Sequence, residues 1–235
     1  MAWTETKQCN KALALIGSST ITDIDATGDP TATMLAGIFD SIRDGVLEVE
    51  EWPFAIKRVA LTQVDDWLTA TAYEVDDIVF TDSKVYTCLV AHTSGTFADD
   101  LASLYWSETY IGPSFKYTEC YLKPSDCLKP LEMSDEDADW AEEGDLIVSD
   151  TSSLELKYIK QVTDATKWSI PFIEAFAAKI AAEIAFVMTQ SKETMEAMQK
   201  LYGIKVEEAS SSESQVGKPP EPRQDYWEEG RYTDD

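Results

Sequence analysis

Pro53 divides the first quarter of this chain into two kinds of structure. Before it, Met34, Leu35, Ile38, Phe39, Ile42, Val46 and Val49 recur at helical spacing between about Pro30 and Glu51, with Asp40, Arg43, Asp44 and Glu48 mostly on the opposite face. The proline ring biases Trp52 away from helical geometry, so the helix is expected to stop here. Trp52 and Phe54 then turn inward as large apolar anchors. Any fold this chain adopts must end a long amphipathic helix against an aromatic pair.

The remaining periodicities surround that element. Cys9, Ala12, Leu13 and Ile16 predict a short amphipathic helix with Thr4 as its N-cap and Gly17 as its stop. Asp29-Pro30 supplies a cap and a proline for the first turn of the long helix. From Trp67 to Trp106 the texture changes to short alternating runs, Tyr73 to Val75, Asp77 to Phe80 and Lys84 to Val90, with a hairpin turn at Asp82-Ser83 and a loop from His92 to Thr96. Further strands are expected over Phe115 to Leu122, Leu128 to Met133, Asp145 to Val148 and Leu154 to Ile159. A last long helix starts near Ile170-Pro171, is interrupted around Thr189 to Glu193, and continues through Met195, Met198, Leu201 and Tyr202. Its alanines, Ala177, Ala178, Ala181, Ala182 and Ala185, suit either close packing inside the protomer or a subunit interface.

Composition narrows the function classes. With 235 residues, 44% hydrophobic, the chain can bury one sizeable core with accessories. It has no apolar stretch of the ~20 residues that cross a bilayer. The start, Met1-Ala2-Trp3-Thr4-Glu5, lacks the basic and apolar regions of a signal peptide, so the expected compartment is the cytosol, with no membrane. A formal net charge of -25 disfavours phosphate contacts with nucleic acid or anionic lipid. It serves solubility, or it lets DNA slide past without sticking. Cys9, Cys88, Cys120 and Cys127 show no CxxC spacing and are joined by a single histidine, His92, which supports no zinc or Cys/His nucleophile site; they read as buried thiols rather than disulfides. The acidic run Ser134 to Asp139 lacks the glycine and terminal glutamate of an EF-hand. No phosphate-binding glycine loop, GxSxG, HExxH or dinucleotide fingerprint is present, so no enzyme, catalytic residue, metal or cofactor is implied.

Arg43 is the odd charge in an acidic stretch, either paired locally with Asp40 or Asp44 or reaching a neighbouring subunit. From Ala209 onward, serines, then Gly217-Lys218-Pro219-Pro220-Glu221-Pro222, read as a tail that cannot fold alone. Tyr226, Trp227 and Tyr232 supply it with anchor area for a partner on which it becomes ordered.

The order of motifs carries a resemblance. Cys9-Asn10-Lys11-Ala12-Leu13-Ala14-Leu15-Ile16-Gly17, Phe39-Asp40-Ser41-Ile42-Arg43-Asp44, Trp52-Pro53-Phe54-Ala55, Tyr121-Leu122-Lys123-Pro124-Ser125-Asp126-Cys127-Leu128 and Leu156-Lys157-Tyr158-Ile159, followed by the alanine-rich helix from Phe172, resemble the tail tubular protein A family, the head-to-tail adaptors of short-tailed bacteriophages. The resemblance implies a non-enzymatic virion protein at the head-tail junction, assembled in the host cytoplasm. It implies a dodecameric ring between portal protein and tail nozzle protein, with a channel through which DNA passes unbound. The implied fold is α+β, a helical bundle joined to a β-rich part. Residues 1–63 and 112–208 would form one discontinuous adaptor domain, 64–111 a small all-β insertion and 209–235 a C-terminal tail, disordered or ordered on the portal.

The insertion has its own likeness. Trp67, Tyr73, Asp76-Asp77-Ile78-Val79, Lys84-Val85-Tyr86-Thr87-Cys88, His92-Thr93-Ser94-Gly95 and Trp106 are similar to the chitin- and cellulose-binding modules of the carbohydrate-binding type 5/12 group, although Asp76 stands where that group often has glycine. That resemblance implies an alternative function, a carbohydrate-binding surface or tail protein, with Phe97, Tyr105 and Trp106 as candidate glycan-binding residues. The competing reading makes Trp67, Tyr73, Tyr86 and Trp106 the miniature core of the module.

Overall fold

Helix α1 (Glu5–Leu15) starts where the Thr4 hydroxyl accepts the Lys7 N–H and stops before Gly17, whose φ of +71° suits a residue without Cβ. Helix α2 (Pro30–Val49) begins at Asp29, whose carboxylate accepts the N–H groups of Thr31 and Ala32. Its inward face is Ala32, Leu35, Phe39, Ile42, Val46 and Leu47. Val49, expected inside, is half exposed. The chain becomes extended at Glu50, and the ring of Trp52 folds back so that its Nε1–H donates to the Val46 carbonyl at 2.9 Å. That ring takes the inward place at the end of the helix. Pro53–Ala55 forms a 3₁₀ turn, with Trp52 extended before it.

The structure, a computed structural model, describes residues 2–112 and 116–213, and within them the fold is α+β, with five helices and thirteen strands. The strands are short. They run β1 (Ile56–Ala60), β2 (Thr62–Gln63), β3 (Asp65–Asp66), β4 (Ala72–Tyr73), β5 (Ile78–Thr81), β6 (Lys84–Cys88) and β7 (His92–Thr93). After a short helix α3 (Phe97–Ala102) come β8 (Trp106–Ile111), β9 (Glu119–Leu122), β10 (Cys127–Met133), β11 (Trp140–Glu143), β12 (Leu146–Ser149) and β13 (Glu155–Lys160). One sheet has the order β1-β13-β10, a second β11-β12-β9-β2, a third β3-β5-β6-β8, and β4 pairs with β7. Every pairing is antiparallel except β3 with β5. Pro130 is tolerated in β10 because that strand lies at a sheet edge, beside a register shift.

Strands β3 to β8 therefore pair only with one another. The flanking chain closes beneath them, Thr62 of β2 opposite Leu122 of β9 and Gln63 opposite Tyr121. The hairpin between β5 and β6 turns at Asp82 and Ser83, both with positive φ, the geometry that matches strand twist in a two-residue loop.

Helix α4 (Ile170–Thr189) is capped by Ser169 and ends at Gln190 in left-handed geometry, and α5 (Lys192–Glu213) returns along it. The alanines of α4 lie buried inside the protomer, where small side chains let α5 approach closely. The expected tail begins too early: α5 runs on to Glu213, and Ala209 is buried in the helical core. A serine run reads as disorder from composition, but one alanine at helical spacing holds it to the bundle.

Three packing regions join these elements. Phe39, Trp52, Trp168, Phe172 and Phe176 interlock at the centre of the helical core, with Trp52 meeting Phe172 edge-on at 5.2 Å. Tyr121, Ile147, Leu156 and Tyr158 fill the space between the first two sheets. Val85, with Ile78, Phe80 and Tyr110, packs on Cys120, Leu146 and Val148 of the second sheet. Both faces of the β5-β6 hairpin are thus used, one for the module itself and one for docking on the β-rich body. All four cysteines are free and buried, and burial pushes the thiols of Cys9 and Cys120 up to about 12 and that of Cys127 to about 11.

Candidate functional site

Asp126 organises the junction between β-rich and helical parts. It sits in the turn Lys123 to Cys127, closed by the Cys127 N–H donating to the Pro124 carbonyl, and the Asp126 carbonyl accepts the Gln161 N–H. One carboxylate oxygen accepts the Tyr158 hydroxyl at 2.6 Å and the other the Lys57 ammonium at 3.0 Å, with Lys160 at 3.9 Å. Two motifs far apart in sequence, Tyr121 to Leu128 and Leu156 to Ile159, therefore meet at one carboxylate on the strands that follow Trp52.

Partial burial raises the Asp126 carboxyl, but the hydrogen bonds from Tyr158 and Lys57 and the charges of Lys57 and Lys160 outweigh it, leaving it below the usual carboxylate value. A carboxyl lowered by folding contributes stability above its unfolded value, about pH 4, and loses it as pH falls through the folded value. Asp126→Asn should therefore cost about 1–2 kcal/mol near neutrality, an amount discounted for partial exposure. The gap in melting temperature from the parent should hold from neutrality down to about pH 5 and narrow as pH falls below about 4. A gap independent of pH contradicts the assignment.

Arg43 is spent inside the protomer. Its guanidinium, nearly inaccessible, donates to Asp40 at 2.6 Å and Asp44 at 2.8 Å, and Asp44 in turn accepts Gln161 Nε2–H. The subunit contact expected for it has no exposed guanidinium to use. Local pairing wins because a buried arginine must keep its charge compensated.

Among the glycan candidates, Trp106 is corrected in the same way. Trp106 is 2% exposed and sits edge-on to Tyr73 at 5.0 Å; Tyr86, Val79 and Cys88 complete that core. Phe97 and Tyr105 are half buried, Phe97 edge-on to Trp67 and Tyr86, and Tyr105 4.6 Å from the His92 ring. A unit this small spends its aromatics on its own interior, so Trp106 offers no face for a sugar. His92 Nδ1 lies 2.8 Å from the Val90 carbonyl, which assigns the proton to Nδ1, and Nε2 faces Asp100 at 3.5 Å. The Asp100 carboxylate also accepts the Gly95 N–H, which ties α3 to the loop before it.

Asp76 has a φ of +73°, so the turn at this position needs the left-handed conformation that glycine adopts most cheaply and aspartate tolerates. Asp76→Gly should be stabilising or neutral by calorimetry, within about 1 kcal/mol. A loss beyond that would show that the Asp76 side chain is needed.

Tyr226, Trp227 and Tyr232 lie outside the described residues. So does Phe115; of the strand expected from there to Leu122, Glu119–Leu122 is observed, and Lys116 to Thr118 lie outside it because the chain bends at Lys116, whose φ is +72°. Sequence reasoning missed α3, whose signal is the Thr96 cap accepting the Asp99 N–H, and β11, an acidic strand joined to β12 through Gly144 at positive φ. No helix among the described residues is long and apolar enough to cross a membrane. No protein-family model matches the chain, and no curated protein matches it.

Proposed function

We propose that the chain is a structural virion protein, a head-to-tail adaptor that joins portal to tail nozzle as a homo-oligomeric ring, a dodecamer, around a channel for DNA. The observation that carries this reading is the convergence of the resembling motifs. Leu13, Phe39, Trp52 and Phe172, from four of them, share one core. Tyr121, Leu156 and Tyr158 share another, and Asp126 bonds to Tyr158. The resembling motifs are thus the segments that build the two cores, as parts of one shared architecture would. The charge supports the same reading, because 44 acidic against 19 basic residues give a surface that repels phosphates and lets a duplex slide.

In this reading the chain assembles and does not catalyse, and Tyr226, Trp227 and Tyr232 grip the portal. Purified chain mixed with portal rings should co-sediment as one complex, and failure to co-sediment contradicts the proposal. Because Ala209 is part of the core, the informative truncation removes residues 214–235 and leaves α5 whole. It should weaken portal docking roughly tenfold or more while leaving the melting temperature unchanged. Undiminished docking by the truncated chain would remove the tail from the interface.

A further inference from the structure

We propose that the inserted module carries a docking site for a protein partner whose contact surface is an apolar anchor flanked by lysines or arginines. Four aliphatic side chains stand open on adjoining segments of the module: Val75 at 52% exposure, Leu89 at 51%, Val90 at 48% and Leu104 at 73%. They lie on segments bonded to each other. The Asp76 N–H donates to the Cys88 carbonyl at 2.9 Å, and the Leu89 N–H donates to the Tyr105 carbonyl at 2.7 Å. The half-buried Tyr105 ring, tilted by 41° against His92, adjoins Leu104 in the chain. Such a rim exposes on the order of a few hundred Å² of apolar surface, the scale at which exposed patches mark interaction sites.

Charge selects the partner. Between Val64 and Ile111 the chain holds nine acidic residues and one lysine, and that lysine, Lys84, is committed to Glu108 at 2.7 Å. Exposed Glu74, Asp76 and Asp77 flank Val75 directly. Two such rims pressed together would set carboxylates face to face, which disfavours a second copy; nucleic acid and anionic lipid are disfavoured for the same reason. A basic surface with an apolar centre satisfies both halves of the site, burying the aliphatics and pairing the carboxylates at the edge. The inference is independent of the ring reading, since a monomer would carry the same rim.

The test uses the full chain with labelled methyl groups and a synthetic peptide having a leucine–tryptophan–leucine centre between pairs of lysines. The methyl resonances of Val75, Leu89, Val90 and Leu104 should shift. The double variant Leu89→Ser with Leu104→Ser, whose side chains lie outside the core, should bind roughly tenfold or more weakly with an unchanged melting temperature. A peptide with glutamates in place of the lysines should not bind. Shifts centred elsewhere, as at Ile170 and Val187, or equal binding by the double variant, would overturn the proposal. So would loss of self-association in the double variant, which would make the rim a contact between copies.

Discussion

Replacing Trp52 with alanine should cost about 3–5 kcal/mol of global stability. Trp52 is fully buried, meets Phe172 edge-on and donates its indole N–H to Val46, so alanine removes a ring from the helical core and leaves a carbonyl unpaired. Trp52→Phe separates these contributions, because it keeps most of the ring and loses the hydrogen bond; it should cost about 1–3 kcal/mol. Denaturant unfolding of the three proteins provides the check. A near-neutral Trp52→Ala would contradict the placement of the aromatic pair on which the end of α2 depends.

Trp106→Ala should be as large in energy and different in extent. Trp106 is the largest side chain in the core of the module, which is too small to lose about 3–5 kcal/mol and remain folded. The opposite face of the module packs on Cys120, so its melting should open two thiols, Cys88 within the module and Cys120 beneath it. Cys9, in the helical core, should stay protected. Thiol-reagent labelling with mass mapping distinguishes the outcomes. Labelling of Cys88 and Cys120 alone marks a local loss; equal labelling of Cys9 would mean that module and helices unfold as one unit, and protection of all would place Trp106 outside the core.

What could be read in the residues was local and strongly periodic. Thr4, Asp29 and the Asp82-Ser83 turn announced their elements because each uses a side chain or backbone preference confined to a few residues. The two-residue strands β2, β3, β4 and β7 and the six-residue α3 carry too little pattern for any period to show. Two of the candidate residues failed for a different reason. Arg43 and Trp106 are residue types enriched at interfaces, and only tertiary burial reveals that their partners are internal. Leu89 and Leu104 look like core residues in sequence and are exposed in the fold, which no alternation within their own segments could disclose.

The central claim is that copies of this chain close around a hole. Electron microscopy of the purified full chain, alone and seated on portal rings, tests it most directly. The account predicts closed twelve-fold rings with an open axial channel on the portal, the copy number that the resemblance implies. Monomers that remain monomers, leaving the portal bare in every image, would contradict it.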